Sequence, residues 1–314
     1  MTRAQISDEF KSFVDRNGMS EATVNKFLSL KRAENADMRE VICAMKSYAW
    51  SEGVRDELFI SELIILKDKG KAQTTGCHGV MGKLSKETKK KYSKEIWEKI
   101  FGGLNIPEAG STLEEMSDFT VELENKFISV TSREDFECAI KKGSPFAKSF
   151  KPEAKKDLGL EEIDAFIKKW SDNDLRMLRR YVKSGSLFFN QILTAAAIEE
   201  FALPKWRPRR EGSKIIFYQI PFLFDKYLAE TDNKMKRYYA CHCPWARKSI
   251  LKEQSVSKSF CYCSFNHGKQ WIENEFGREL DGRVISSVLE EGSEQCVFEV
   301  DIPDDIMNKA EINL

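Results

Sequence analysis

The chain has 314 residues, of which 41% are hydrophobic, so it is long enough for two domains or for one domain with a large helical extension. Its 50 basic and 50 acidic residues cancel, which removes any global electrostatic reason to bind nucleic acid or an anionic membrane. No apolar run is long enough to span a bilayer, and residues 1–17 lack the apolar stretch of a signal peptide. We therefore expect a cytoplasmic protein with no membrane or nucleic-acid partner, in which the 8 cysteines are reduced thiols.

The first half of the chain is predicted to be helical. Apolar residues recur at helical spacing over residues 7–17, 20–30, 37–50, 53–66, 85–101 and 132–142. Ser111 begins a capping-box pattern, with a glutamate three residues later, and residues 127–130 are predicted to form a short strand. Residues 143–157, which contain two prolines, are the best candidate for a linker. We therefore predict a helical N-terminal region over residues 1–150 and a second domain over residues 151–314.

The second half of the chain combines helix and strand patterns. Residues 158–203 show helical spacing, and residues 214–220 form an apolar strand pattern that is followed by a helix beginning at Pro221. Two alternating segments, residues 283–289 and 295–302, flank a glycine-containing turn and predict a β-hairpin. The sequence therefore predicts an α+β fold, in which a mostly helical N-terminal region precedes a C-terminal antiparallel-sheet domain with covering helices.

Five of the 8 cysteines and two of the three histidines lie in one region, residues 236–302. Two Cys-x-Cys pairs stand there, Cys241 with Cys243 and Cys261 with Cys263. Aromatic residues and alternation predict a strand over residues 236–243, in which residues two apart share a face. The first pair would then present both thiols to one side of the sheet.

The second Cys-x-Cys pair is predicted to begin a helix that extends to residue 276. Cys263, His267 and Trp271 follow one another at intervals of four, so they would form one stripe of this helix. Cys261 would lie at the helix entrance, where the helix dipole lowers thiol pKa values. Cys261 and Cys263 are therefore candidates for a nucleophilic thiolate, with His267 as the group that moves the proton.

The four paired thiols would also suit zinc if the helix entrance packs beside the strand. Zinc takes four such ligands in tetrahedral geometry, and the candidate ligands are Cys241, Cys243, Cys261 and Cys263. The spacing differs from the C-x₂-C of zinc ribbons. The alternative is that these cysteines pack as small hydrophobic residues.

Three further residues are candidates for contact with a small-molecule ligand. Tyr239 and Trp245 would line an apolar pocket, and Arg247 would bind a carboxylate. The alternatives are that both aromatic residues belong to the ordinary core and that Arg247 only begins a helix. Cys77 and His78 either reach the C-terminal thiols or form a helix-terminal pair.

The hairpin has the pattern S-x-x-x-x-G-x-x-x-C-x-F-x-V, here Ser287, Gly292, Cys296, Phe298 and Val300. Together with the preceding thiol-bearing helix, it resembles the vinyl-reductase-type ligand-binding domain and the L-2-amino-thiazoline-4-carboxylate hydrolase family. A bacterial family that shares the CHCPWAR and FCYC segments is the most similar. The resemblance covers the last third of the chain. It implies an antiparallel sheet covered by helices, a small molecule held beside the cysteines and a homodimer.

Three functions follow as hypotheses. The chain is an enzyme that hydrolyses a C–N bond of a small carboxylated substrate through a thiolate or a zinc-bound water. Alternatively, it is a sensor or carrier that binds a small ligand or a metal without turnover. A third hypothesis is a scaffold protein whose cysteines only pack.

Overall fold

The computed structural model describes residues 79–107, 111–144, 158–184, 188 and 193–312. The helices predicted over residues 7–66, the Cys77–His78 pair and most of the predicted linker lie outside the described residues.

The predicted α+β architecture is confirmed. The first described helices are α1 (Gly79–Lys91), α2 (Lys94–Phe101), α3 (Leu113–Val130), α4 (Arg133–Gly143), α5 (Leu160–Ser184) and α6 (Ala195–Phe201). The strands are β1 (Arg209–Glu211), β2 (Lys214–Tyr218), β3 (Gly282–Ser286) and β4 (Val297–Asp301). Between and after the strands lie α7 (Phe224–Ala229), α8 (Asn233–Ala240), α9 (Arg247–Lys252), α10 (Tyr262–Phe276) and α11 (Asp304–Ile312). The C-terminal half thus places four helices between two strand pairs.

Side-chain caps set the boundaries of the N-terminal helices. Ser93 accepts a hydrogen bond from the amide of Ile96, and so divides the single helix predicted over residues 85–101 into α1 and α2. The capping box begins one residue later than predicted, at Thr112, whose hydroxyl accepts from the amide of Glu115. The short strand predicted over residues 127–130 is wrong, because Phe127 is fully buried on the face of α3 that the helical repeat forms.

The four strands form one antiparallel sheet in the order β1-β2-β4-β3. The predicted hairpin is confirmed as β3 and β4, and the predicted strand over residues 214–220 as β2. Phe217 of β2 faces Phe298 of β4 in the ladder, with ring centroids 5.2 Å apart. Phe265 of α10 completes this aromatic layer, 6.0 Å from the ring of Phe298. The layer joins α10 to the centre of the sheet.

A glycine allows α10 to approach the sheet. A Cβ atom at Gly268 would lie 2.2 Å from Cε2 of Phe217, closer than any two carbon atoms pack. At the far end of α10, the buried ion pair of Lys269 and Glu273 also hydrogen-bonds to the carbonyl and the amide of Leu280, in the turn that follows. Lys269 Nζ donates to the carbonyl of Leu280 at 2.9 Å, and Leu280 N donates to Glu273 at 3.0 Å. The first feature positions the helix against β2, and the second ties it to the turn that leads into β3.

The hydrophobic core runs continuously through the described part of both predicted domains. Phe136 of α4 contacts Phe260 at 5.6 Å between centroids, and Phe119 of α3 contacts Trp245 at 5.8 Å. The N-terminal helices therefore pack directly on the cysteine-bearing segments. The division of the chain at residue 150 stays a prediction.

Candidate functional site

The first Cys-x-Cys pair follows a helix. The strand predicted over residues 236–243 is wrong, because Asp232 caps α8 by accepting from the amide of Met235 at 2.8 Å. Helix α8 ends at Ala240, and the amide of the next residue, Cys241, donates to the carbonyl of Arg237. The strand alternation that would have placed Cys241 and Cys243 on one face is therefore absent. Cys241 is buried and Cys243 is half-buried.

The second pair lies where the sequence predicted it, at the entrance of α10. Cys261 ends a 3₁₀ turn, Lys258–Cys261, and is buried, whereas Cys263 is half-buried in the first turn of α10. The Sγ atom of Cys261 lies 3.0 Å from the hydroxyl oxygen of Ser287. Each Cys-x-Cys pair thus contributes one buried thiol and one half-buried thiol.

The buried thiols of Cys241 and Cys261 share their surroundings with Cys296, which lies directly before β4. We call these three residues the thiol cluster. Cys261 lies 3.0 Å from Ser287, which stands beside Cys296 at the end of the β3–β4 ladder, and the charges of neighbouring thiols affect the pKa values of Cys261 and Cys241. Sequence analysis named Cys296 only as part of the hairpin pattern and did not count it among the candidate site residues.

Hydrogen bonding and burial separate the pKa values within the thiol cluster. The hydrogen bond from Cys261 lowers the pKa of Cys296 against the effect of burial, and the amide of Val288 and the hydroxyl of Ser287 lower it further. The same hydrogen bond, together with burial, raises the pKa of the Cys261 thiol. Burial raises the pKa of Cys241 to about 12. Cys261 therefore holds its proton, in contrast to the thiolate that its place at a helix entrance predicted.

The two C-terminal histidines are neutral at neutral pH. His242 Nε2 lies 2.5 Å from the carbonyl oxygen of Ile220, which assigns the proton to this nitrogen. Burial, with smaller contributions from the nearby Arg247 and His267, lowers the pKa of His242 to about 4. His267, on α10, is half-buried, and burial lowers its pKa as well. The side chain of Trp271, one turn beyond His267, is 59% exposed.

The three residues predicted to contact a ligand lie at different depths. Trp245 is buried against the ring of Phe119. Arg247 is fully buried, and its guanidinium carbon lies 4.4 Å from the ring centroid of Phe222 and 4.5 Å from that of Tyr238. These distances place the guanidinium in a cation–π contact with each ring.

The third of these residues, Tyr239, is half-buried, with the ammonium of Lys226 5.4 Å from its ring centroid. None of the three predicted ligand contacts lines the cleft described next.

A cleft of about 850 Å³ opens beside the thiol cluster. Its lining comes from Asp232, Asn233, Lys234 and Arg237 around α8, from residues 249–250 and 253–258, from residues 289–291, and from Arg133 and Glu137 of α4. Four of these side chains are basic and five are acidic: Arg133, Lys234, Arg237 and Lys258, then Glu137, Asp232, Glu253, Glu290 and Glu291. The cleft is therefore lined by charges of both signs.

One turn, residues 287–291, separates the cleft from the thiol cluster. Ser287 contacts Cys261 on one side of this turn, and Leu289 and Glu290 line the cleft on the other. Arg237 fixes the turn, because its guanidinium donates to the carbonyl of Val288 at 2.8 Å and to that of Leu289 at 3.0 Å. The amide of Leu289 in turn donates to the Ser287 hydroxyl at 3.0 Å. Only Val288 therefore separates the residue that contacts Cys261 from the first residue of the turn that lines the cleft.

Two ion pairs in the cleft balance part of its charge. Lys234 Nζ lies 2.6 Å from Glu253, and Lys258 Nζ lies 3.2 Å from Glu290. The buried Glu124 accepts a hydrogen bond from the amide of Ser257 at 2.9 Å and holds the segment that carries Lys258. Sequence analysis missed the cleft because its walls come from five separate segments. The glutamate pair at residues 290–291 was the only local signal, and it indicated a turn.

Within the residues that the structure describes, no three Cys, His, Asp or Glu side chains are arranged to hold a metal ion. Cys241, Cys261 and Cys296 are buried, whereas Cys243 and Cys263 are half-buried. The zinc site predicted from the four paired thiols stays a prediction.

No helix in the described ranges has both the length and the apolar character to cross a membrane. Comparisons of the chain with models of known families, with curated proteins and with solved structures find no match.

Proposed function

We propose that this chain binds a small, charged molecule in the cleft, as a ligand-binding protein. The observation that carries the proposal is the position of the cleft, which shares the 287–291 turn with the thiol cluster. Its volume of about 850 Å³ suits a small molecule. Its lining is more polar than that of most ligand pockets, which favours a polar ligand over an apolar one.

The charges of the cleft favour a ligand that carries a carboxylate. Lys234 and Lys258 present ammonium groups in the cleft, and each is already paired with a glutamate. A ligand carboxylate could replace the glutamate as the partner of either lysine. A ligand ammonium group could pair with the carboxylate of Asp232 or Glu291. A small zwitterion therefore fits the lining best. The family resemblance also implies a small carboxylated ligand beside the cysteines.

Hydrolysis of a C–N bond is the second candidate function. It is favoured by the lowered pKa of Cys296, which the Cys261 thiol, the Val288 amide and the Ser287 hydroxyl produce together. A binding protein ranks above it because all three thiols of the cluster are buried behind the turn. The proposal also includes a bound zinc ion, a homodimer and a cytoplasmic location, as expected from the sequence. The remaining alternative is a scaffold in which the cysteines only pack.

Binding is tested by calorimetry on the full chain with 2-aminothiazoline-4-carboxylate and, in parallel, with its carboxamide. We expect the carboxylate to bind at least about tenfold more tightly, because each lost charge-assisted hydrogen bond costs about 1.5–3 kcal/mol. Lys258→Gln should weaken binding of the carboxylate by a similar factor. Mass spectrometry of the same mixture detects hydrolysis as a product heavier by one water.

Lys94→Gln is the matched control, because Lys94 is an exposed lysine that also pairs with a glutamate but does not line the cleft. Equal affinity for carboxylate and carboxamide, or equal loss in the two lysine variants, would remove the proposed role of the cleft. Turnover that disappears in Cys296→Ser would select the hydrolase over the binding protein.

A further inference from the structure

We propose that Cys261 and Cys296 are a site of reversible oxidation, at which a hydroperoxide converts the two thiols to a disulfide. The inference stands on the placement of the two sulfurs and is independent of any ligand in the cleft. Cys261 closes the 3₁₀ turn before α10, and Cys296 lies directly before β4, so the bond would tie the start of a helix to the sheet.

The geometry brings the two thiols to the same place. Cys261 Sγ lies 3.0 Å from the hydroxyl oxygen of Ser287, and Ser286 pairs with Val297 in the ladder, so Ser287 and Cys296 lie side by side directly beyond that pair. A disulfide requires two sulfurs that approach to about 2 Å with their Cβ atoms about 3.5–4.5 Å apart, which two thiols beside one hydroxyl reach by a local adjustment. Cys241, the third member of the cluster, interacts with the pair through charge, without a hydrogen bond to either sulfur. The pair is therefore specific among the three clustered thiols.

The backbone around the pair is anchored on one side and lightly covered on the other. The carbonyl of Cys296 accepts from the amide of Gln219 at 3.1 Å, which fixes this residue to the chain that follows β2. The cover on the cleft side is the 287–291 turn, in which Glu291 is exposed. The sulfurs themselves are buried, so the structure favours a small oxidant such as hydrogen peroxide over a bulky disulfide reagent.

The chemistry balances without another cofactor. Hydrogen peroxide transfers one oxygen atom to the first thiol, which becomes a sulfenic acid, and the rest of the peroxide leaves as water. The second sulfur attacks the sulfenic sulfur, the S–O bond breaks, and a second water leaves with the released protons. In total the two thiols lose two electrons and two protons, and one peroxide is reduced to two waters. A small thiol reductant reverses the bond by exchange.

The test uses the full chain, reduced and freed of reductant, then treated with hydrogen peroxide that is afterwards destroyed by catalase. Thiols that remain are alkylated in denaturant, and tryptic fragments are analysed by mass spectrometry. The expected product joins the fragment of residues 259–269 to that of residues 284–309, at a mass two hydrogens below their sum. The link closes a loop of 35 positions (296 − 261), so the midpoint of thermal unfolding should rise by several degrees until reductant is added.

Cys263 lies on the same tryptic fragment as Cys261, which makes Cys263→Ser the matched control. The link should persist in Cys263→Ser and in Cys243→Ser, and should vanish in Cys296→Ser. Fragmentation of the wild-type linked peptide locates the bond without relying on the fold of any variant. Recovery of alkylated Cys261 and Cys296 after oxidation of other cysteines, a bond to Cys241 or Cys263, or over-oxidation of either residue without a link would each overturn the proposal.

Discussion

The cleft and the thiol cluster lie on opposite sides of one turn, and they differ in almost every physical property. The cleft side is open and lined by charges of both signs, several of which form ion pairs exposed to solvent. The thiol side is buried, and hydrogen bonds rather than ion pairs decide the protonation of its groups. The comparison teaches that the cleft is suited to selecting a charged ligand and the thiol cluster to a chemical reaction of its sulfurs, with residues 287–291 as an element that both share.

The largest expected effect lies on the buried side, in the aromatic layer beneath the cluster. Phe298→Ala should lower the free energy of unfolding by about 3–5 kcal/mol, because it removes a fully buried ring between Phe217 and Phe265. Urea denaturation followed by fluorescence measures the loss. Ile285→Ala, at a side chain that is 38% exposed, is the control and should change the same quantity by less than about 1 kcal/mol. Equal losses would mean that the sheet face is not packed as described.

The next effect concerns the turn itself. Arg237→Met should lower the free energy of unfolding by about 1–3 kcal/mol, because the carbonyls of Val288 and Leu289 lose their donors. Hydrogen exchange should also become faster at the amide of Leu289. Arg237→Lys, which keeps the charge but has no planar fork, should fall between wild type and Arg237→Met. Unchanged exchange in Arg237→Met would show that the turn does not depend on this guanidinium.

A smaller effect on stability is expected from His242, and it depends on pH. The folded-state pKa of His242 is lowered to about 4 from an ordinary value near 6.5, so the unfolded chain binds the proton more readily between these values. Stability should therefore fall as the pH decreases from about 6.5 towards 4. Because the ring is partly exposed, we expect His242 to lower the free energy of unfolding at pH 4.5 by about 1–2 kcal/mol relative to neutral pH. Urea denaturation at pH 7.5 and 4.5 should show a smaller difference in His242→Gln than in wild type, and equal differences would contradict the assignment.

The smallest effect on stability is expected in the cleft. Lys258→Gln breaks an ion pair whose partners are 39% and 41% exposed, so the free energy of unfolding should change by less than about 1 kcal/mol. The same substitution is expected to weaken binding of the carboxylate about tenfold. Thermal denaturation and calorimetry on one sample compare the two quantities. A stability loss as large as that of Arg237→Met would mean that Lys258 supports the fold instead of the ligand.

The sheet and its covering helix were predictable because their signals are local. The alternation of residues 283–289 and 295–302 and the apolar run of β2 identified the strands, and the spacing of Cys263, His267 and Trp271 at intervals of four identified the helix α10. The prediction of a strand over residues 236–243 was wrong because the aromatic residues there are compatible with a helix as well as with a strand. The cap at Asp232 and the contacts of α8 with neighbouring helices stabilise the helical conformation of this segment.

The candidate site was predicted only in part. Sequence analysis considered Cys241 and Cys261 together only as two of four candidate zinc ligands, whereas in the structure both are buried and the charge of Cys241 raises the pKa of Cys261. Spacing contained no information on which member of each Cys-x-Cys pair faces inward, because that depends on how α8 ends and how α10 begins. The cleft depends on long-range packing between α4, α8 and two loops, and no pattern within a single segment records such packing.

The close approach at Gly268 has a consequence for everything at the entrance of α10. At Gly268 the helix lies against the ring of Phe217 with no side chain between them, and a Cβ atom there would lie 2.2 Å from Cε2 of that ring. The sulfur of Cys261, two turns upstream, is therefore aimed by a contact that involves no cysteine at all. Even a methyl group at position 268 would act as a wedge there, tilting the helix away and separating Cys261 from Cys296 while every thiol remained in the chain.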